Sequence, residues 1–213
     1  MAVKVKICGV TRKEDALLAC EMGAHAIGFV FADSPRKIEP EQAAEIASFL
    51  PAEVKSVGVF QGRSLSEILK IARTVRLSSL QIYDNHILQM LSNRSENGYS
   101  FRSEMKIIPA FFVRNLYSLN RIKRLAFPEV LIDRVKDGDT EPEIIWRAAK
   151  LLHYTKRVIL AGGLNPDNVQ KAIAFAHPHC VDVASSIESD PGVKDPKKMR
   201  EFFRKVKEAE EYY

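Results

Sequence analysis

Val3-Lys4-Val5-Lys6-Ile7-Cys8, then a stretch with apolar residues at helical spacing from Glu14 to Met22, then Ala26-Ile27-Gly28-Phe29-Val30-Phe31: this run decides the reading of the fold. Two short β-branched runs flank one amphipathic segment, which is the pattern of a strand, a crossover helix and a parallel strand. The alternation continues through Lys55 to Phe60, Leu80 to Tyr83, Lys106 to Phe112, Val130 to Asp133, Arg157 to Ala161 and Cys180 to Ala184. Helical spacing recurs between them at Glu41 to Phe49, Leu65 to Val75, Glu143 to Leu152 and Asn168 to Phe175, and after the last at Pro196 to Val206. Strand and helix alternating from end to end require a parallel sheet. Eight such units close into a barrel, whereas an open doubly wound sheet usually has five or six and a nucleotide loop after its first strand. The sequence therefore predicts an α/β protein, a single (β/α)8 TIM barrel over residues 1–213. Ser92-Asn93-Arg94-Ser95-Glu96-Asn97-Gly98 is polar and turn-rich, and predicts a short fourth helix followed by an exposed loop.

A chain of 213 residues, 46% hydrophobic and 28% charged, is long enough for one sizeable core. The first residues alternate charged and apolar, unlike a signal peptide or a membrane helix, so a soluble, cytoplasmic protein with no membrane partner is expected. Cys8, Cys20 and Cys180 are odd in number and lack metal-ligand spacing, which argues against a disulfide framework and a metal site. The net charge of +5 rests largely on helix faces such as Lys194 to Lys207, where acidic residues interleave. Nucleic-acid binding would need basic residues clustered with stacking aromatics, and none stands out.

In this architecture chemistry sits at the carboxyl ends of the strands. Gly162-Gly163-Leu164-Asn165-Pro166 reads as a tight loop entering a helix near Asn165, with bare amides open to an anion. A plain turn is the alternative, but the position after strand 7, beside Ala184-Ser185-Ser186 after strand 8, matches the usual phosphate site of such barrels. Cys8 closes a strand and precedes Gly9, so its sulfur can face the pocket, where a basic neighbour would favour the thiolate; an ordinary buried thiol is the alternative. Cys20 and Cys180 read as such ordinary thiols. Asp133 closes the apolar run Val130-Leu131-Ile132 and is either a functional carboxylate or the partner in a salt bridge or cap. Together the thiol and carboxylate form a possible base and acid pair.

Lys6-Ile7-Cys8-Gly9-Val10-Thr11, Gly28-Phe29-Val30-Phe31 with Ser34-Pro35-Arg36, Val57-Gly58-Val59-Phe60 and Leu160-Ala161-Gly162-Gly163-Leu164-Asn165-Pro166 closely resemble the phosphoribosylanthranilate isomerases of tryptophan biosynthesis. The resemblance continues through Val181-Asp182-Val183, Ser185, Glu188, Pro191-Gly192 and Lys194-Asp195. It implies an Amadori rearrangement of a sugar-phosphate substrate with Cys8 as general base and Asp133 as general acid, and no cofactor. It further implies substrate contacts from Arg36, to the anthranilate carboxylate, and from Gln81, Gly162, Gly163, Asp182, Ser185 and Ser186, in a monomer or homodimer. The chain departs from that pattern in four places. Tyr83-Asp84 stand where the family usually has histidine and glycine, Lys136-Asp137-Gly138-Asp139-Thr140-Glu141-Pro142-Glu143 replaces a glycine-rich lid, Ser186 replaces a glycine, and Pro109 a lysine. A serine there predicts strain if the backbone needs a positive φ. A barrel acting on another sugar phosphate and a non-catalytic phosphosugar-binding relative are the alternative readings.

Overall fold

The computed structural model describes residues 2–93, 105–135 and 141–210. Eight parallel strands form a closed barrel in chain order: β1 (Lys4–Cys8), β2 (Ala26–Val30), β3 (Lys55–Phe60), β4 (Ser79–Ile82), β5 (Lys106–Val113), β6 (Glu129–Arg134), β7 (Arg157–Leu160) and β8 (Cys180–Val183). The seam closes where β1 pairs with β8 through Lys4 opposite Cys180 and Ile7 opposite Val183. Helices α1 (Lys13–Glu21), α2 (Pro40–Ser48), α3 (Leu65–Val75), α4 (Asn85–Asn93), α5 (Leu119–Lys123), α6 (Pro142–His153), α7 (Val169–Ala176) and α8 (Pro196–Glu210) follow the strands in turn. A small hairpin, β9 (Glu188–Asp190) and β10 (Val193–Lys194), lies between β8 and α8.

Side chains alternate across each strand, so one face of the sheet meets the helices and the other fills the barrel. On β1, Val5 and Ile7 join the outer core with Ile27, Phe29, Leu80, Val130 and Val181, packed against Ala16, Ile46, Ile68, Ile145, Ala172 and Phe202 of the helices. The interior is filled by Val57, Ile108, Ala110, Leu131, Ile159, Ala161 and Cys180. By the same alternation Lys4, Lys6 and Cys8 turn inward. Local signals set the helix ends: Ser64 and Glu67 form a reciprocal capping box at α3, and Pro40 and Pro142 open α2 and α6, where a missing N–H costs nothing.

The differences from the sequence reading are local. The stretch between β5 and β6 carries only a 3-10 turn, Leu116–Ser118, and the five-residue α5. Helix α7 starts at Val169 rather than near Asn165. Asn165 accepts from the amides of Asp167 and Asn168, which folds residues 165–168 into a turn ahead of the helix. The polar tract is helical through Asn93; residues 94–98, and residues 136–140 of the acidic replacement for the lid, lie outside the described residues. Among the described residues no helix is long and apolar enough to cross a membrane.

Candidate active site

A cavity of about 210 Å³ opens at the carboxyl ends of the strands. Cys8 lines it from β1, Arg36 from the loop after β2, and Gln81 and Tyr83 from the end of β4. Asp133 of β6, Gly162 and Gly163 after β7, and Asp182 and Ser185 at the end of β8 complete the wall. A larger cavity, about 620 Å³, lies at the amino end between Lys4, Lys55, Lys106 and Arg157. Glu129 is buried there and pairs with Lys106 and Arg157. That end of such a barrel serves stability, and the convergence of thiol, carboxylates and glycine loops places the chemistry at the smaller cavity.

Lys6 organises the floor. It lies two residues before Cys8 on one strand face, and its Nζ donates 2.9 Å bonds to Asp182 Oδ2 and Gln81 Oε1. Gly28 makes room: a Cβ there would lie 2.9 Å from Cys8 Sγ and 3.3 Å from Lys6 Cε. Burial pushes the Cys8 thiol up from its ordinary value, with Lys6 and Lys194 opposing and Asp182 reinforcing the shift. The expected basic neighbours are thus present, but burial outweighs them and Cys8 rests as the thiol. Lys194, brought under the site by the β9–β10 hairpin, donates to the Cys8 carbonyl at 2.7 Å and to Glu188 Oε1 at 2.8 Å.

Asp133 accepts from the backbone N–H of Arg134 at 2.7 Å through Oδ1 and from the Tyr83 hydroxyl at 2.9 Å through Oδ2. Gly162 and Gly163 have φ of +89° and +81°, a left-handed backbone that favours glycine. At Gly162 a Cβ would also meet Arg134 N at 2.5 Å and Asp133 Oδ1 at 2.9 Å, so this glycine lets the β7 loop lie directly against the acid. Among the described residues no group of three or more His, Cys, Asp and Glu could hold a metal ion.

Residues 5–205 match the family model described as N-(5'phosphoribosyl)anthranilate (PRA) isomerase. The chain belongs to the phosphoribosylanthranilate isomerase family. N-(5'-phosphoribosyl)anthranilate isomerase of Trichlorobacter lovleyi is 40% identical over 97% of this chain and 99% of its own length, and that of Geotalea uraniireducens is 41% identical over 96% and 98%. The crystal structure of phosphoribosyl anthranilate isomerase from Thermotoga maritima superposes with a TM-score of 0.85 at 35% identity, covering 97% of this chain and 99% of that one. A second solved phosphoribosyl anthranilate isomerase, in complex with reduced 1-(o-carboxyphenylamino)-1-deoxyribulose 5-phosphate, superposes at 0.80 and 34% identity, with the same coverage.

Within this isomerase frame, Cys8, Arg36, Gln81, Asp133, Gly162, Gly163, Asp182 and Ser185 all meet in one cavity. Ser186 does not line it. Its hydroxyl turns to the Leu164 carbonyl at 2.5 Å and ties the two glycine-and-serine loops together. Nor is it strained: among the described residues only Arg76 and His177 combine a side chain with a positive φ. Arg36 is clasped by Glu188, which accepts from Nε at 2.8 and 3.0 Å and from Nη2 at 2.7 Å. Asp84 faces away from the chemistry, accepting from the Gly62 amide. Lys6, Glu188 and Lys194 received no role from sequence, although the two-residue step from Lys6 to Cys8 already placed both on one face of β1.

Proposed function

We propose that this chain isomerises N-(5'-phosphoribosyl)anthranilate to 1-(2-carboxyphenylamino)-1-deoxyribulose 5-phosphate, with Cys8 as general base and Asp133 as general acid. The observation that carries the reading is that this thiol and carboxylate face one cavity whose third wall is the Gly162-Gly163 loop. Asp133 gives its proton to the ribose ring oxygen, the C1′–O bond breaks, and the nitrogen lone pair forms an iminium ion. Cys8 then takes the C2′ proton, and the electron pair of that C–H bond neutralises the iminium, leaving an enolamine that tautomerises to the ketose. One proton is given and one taken, so acid and base must hold opposite protonation states. Because burial keeps Cys8 as the thiol, its reactive form is a minority thiolate, stabilised where it forms by Lys6.

The substrate phosphate lies against the amides of Gly163 and Ser185. Arg36, oriented by Glu188, faces the anthranilate carboxylate. Asp182 Oδ1, buried and without a hydrogen-bond partner among the described residues, takes a donor from the sugar, since an unpaired buried acceptor is costly. The chain acts as one cytoplasmic domain, as a monomer or homodimer, in tryptophan biosynthesis. The direct test of the assignment is growth: the chain should restore growth without tryptophan to a strain lacking the isomerase. Calorimetry with the reduced product analogue should show binding. Binding without rescue would reduce it to a phosphosugar-binding relative.

A further inference from the structure

Tyr83 stands one residue beyond β4, and its ring stacks on Phe112 with centroids 4.6 Å apart and planes at 23°. Its oxygen accepts from Gln81 Nε2 at 3.2 Å and donates to Asp133 Oδ2 at 2.9 Å. The direction of these bonds is set two residues away. The Lys6 ammonium can only donate, so Gln81 must present Oε1 to it and Nε2 to Tyr83. The phenol oxygen is thereby held as an acceptor on one side, and its single proton goes to Asp133. Burial, then the nearby Asp133 carboxylate, pushes the Tyr83 hydroxyl well above its usual value, so it stays neutral and keeps that proton throughout the working pH range.

We infer that Tyr83 is a positioning residue for the general acid: it fixes the rotation of the Asp133 carboxyl and stabilises the carboxylate that remains once the proton has passed to the sugar ring. Two donors are needed for this, one per oxygen. The Arg134 amide holds Oδ1 and Tyr83 holds Oδ2. Because the donated bond strengthens as negative charge develops on Asp133, its effect falls on the chemical step rather than on substrate binding. The inference rests on Asp133 being the acid.

The test is a double-mutant cycle between Tyr83→Phe and Asp133→Asn, with kcat and KM measured for each member. Tyr83→Phe removes one oxygen and leaves the stack on Phe112. It should lower kcat roughly ten- to a hundredfold, the range of a hydrogen bond to a charged group, with KM changed by less than about twofold. In the Asp133→Asn background the same change should cost almost nothing further. Tyr83→His, which can return an N–H donor to the same carboxylate, should recover most of the lost kcat. An unaltered kcat in Tyr83→Phe, or an equal loss in both backgrounds, overturns the role of Tyr83 while leaving Asp133 as the acid. Full turnover in Asp133→Asn overturns the acid assignment and this inference with it.

Discussion

Nζ of Lys6 lies 2.9 Å from Oδ2 of Asp182, with the two side chains 1% and 7% exposed, at the centre of the barrel floor. Burial opposes the charge on Lys6, yet Asp182 and Cys8 beside it hold its pKa above the ordinary lysine range. Burial raises the Asp182 carboxyl, and Lys6 only partly offsets it. Lys6 thus faces two groups able to carry negative charge, Asp182 and Cys8, and is hydrogen-bonded to the first.

It follows that Asp182→Asn should make Cys8 easier to ionise, because it removes the carboxylate that competes for Lys6. Alkylation of Cys8 by iodoacetamide, followed on the Cys8 peptide by mass spectrometry, should reach half its maximal rate above pH 9.0 in the native chain, given burial, and at lower pH in the variant. The variant also leaves Lys6 buried with one formal partner fewer and should lose about 3–5 kcal/mol of stability, the usual consequence of breaking a buried ion pair. A midpoint that stays in place or rises would show that Lys6 does not act on Cys8.

Glu188 should give the fold an acid-sensitive increment of stability. Burial would raise its carboxyl, but the bonds from Arg36 and Lys194 outweigh that and hold it below the ordinary value of 4.5. A carboxylate depressed in the folded state stabilises it above the unfolded value, and this contribution is lost as pH falls through the folded one. Urea titrations should therefore show the native chain losing stability below about pH 4.5 more steeply than Glu188→Gln. At neutral pH Glu188→Gln should be less stable by about 3–5 kcal/mol, because Lys194, fully buried, loses its anion. Equal pH profiles for the two proteins would remove Glu188 from this role.

The barrel was legible from the short apolar, β-branched runs and the helical segments between them, because those patterns depend on residues close in sequence. So were the strand ends, and with them Cys8, Asp133 and the Gly162-Gly163 loop. What sequence did not disclose is how charge crosses the barrel. Lys6 meets Asp182 and Gln81, Arg36 meets Glu188, and Tyr83 meets Asp133, each pair far apart along the chain and joined only by closure of the sheet. Ser186 illustrates the same limit. Taken as a strained stand-in for glycine, it is instead a tie to Leu164, since its backbone stays at negative φ and its hydroxyl finds a carbonyl in the neighbouring loop.

Gly162 and Gly163 should fail differently when substituted. Gly162→Ala drives a Cβ to 2.5 Å from Arg134 N and 2.9 Å from Asp133 Oδ1, so it should displace the acid and lower kcat. Forcing the left-handed backbone adds about 1–2 kcal/mol of destabilisation. Gly163→Asp forces the same left-handed backbone, but its Cβ meets only the far end of the Arg134 side chain, at 3.4 Å, and its carboxylate lies beside the phosphate, so it should raise KM and abolish inorganic phosphate binding. Calorimetric phosphate titration and steady-state kinetics of the two variants check this. Unchanged phosphate affinity in Gly163→Asp would move the phosphate elsewhere.

The most direct test of the acid–base assignment is a steady-state assay that follows the loss of phosphoribosylanthranilate fluorescence with the native chain, Cys8→Ala and Asp133→Asn side by side. The native chain should turn over, and each variant should lose at least the ~10² to 10⁴ in kcat that a general base or acid supplies, while remaining folded and still binding the reduced product analogue. Near-native turnover in either variant would contradict the role given to that residue, and an inactive but correctly folded native chain would contradict the isomerase assignment itself.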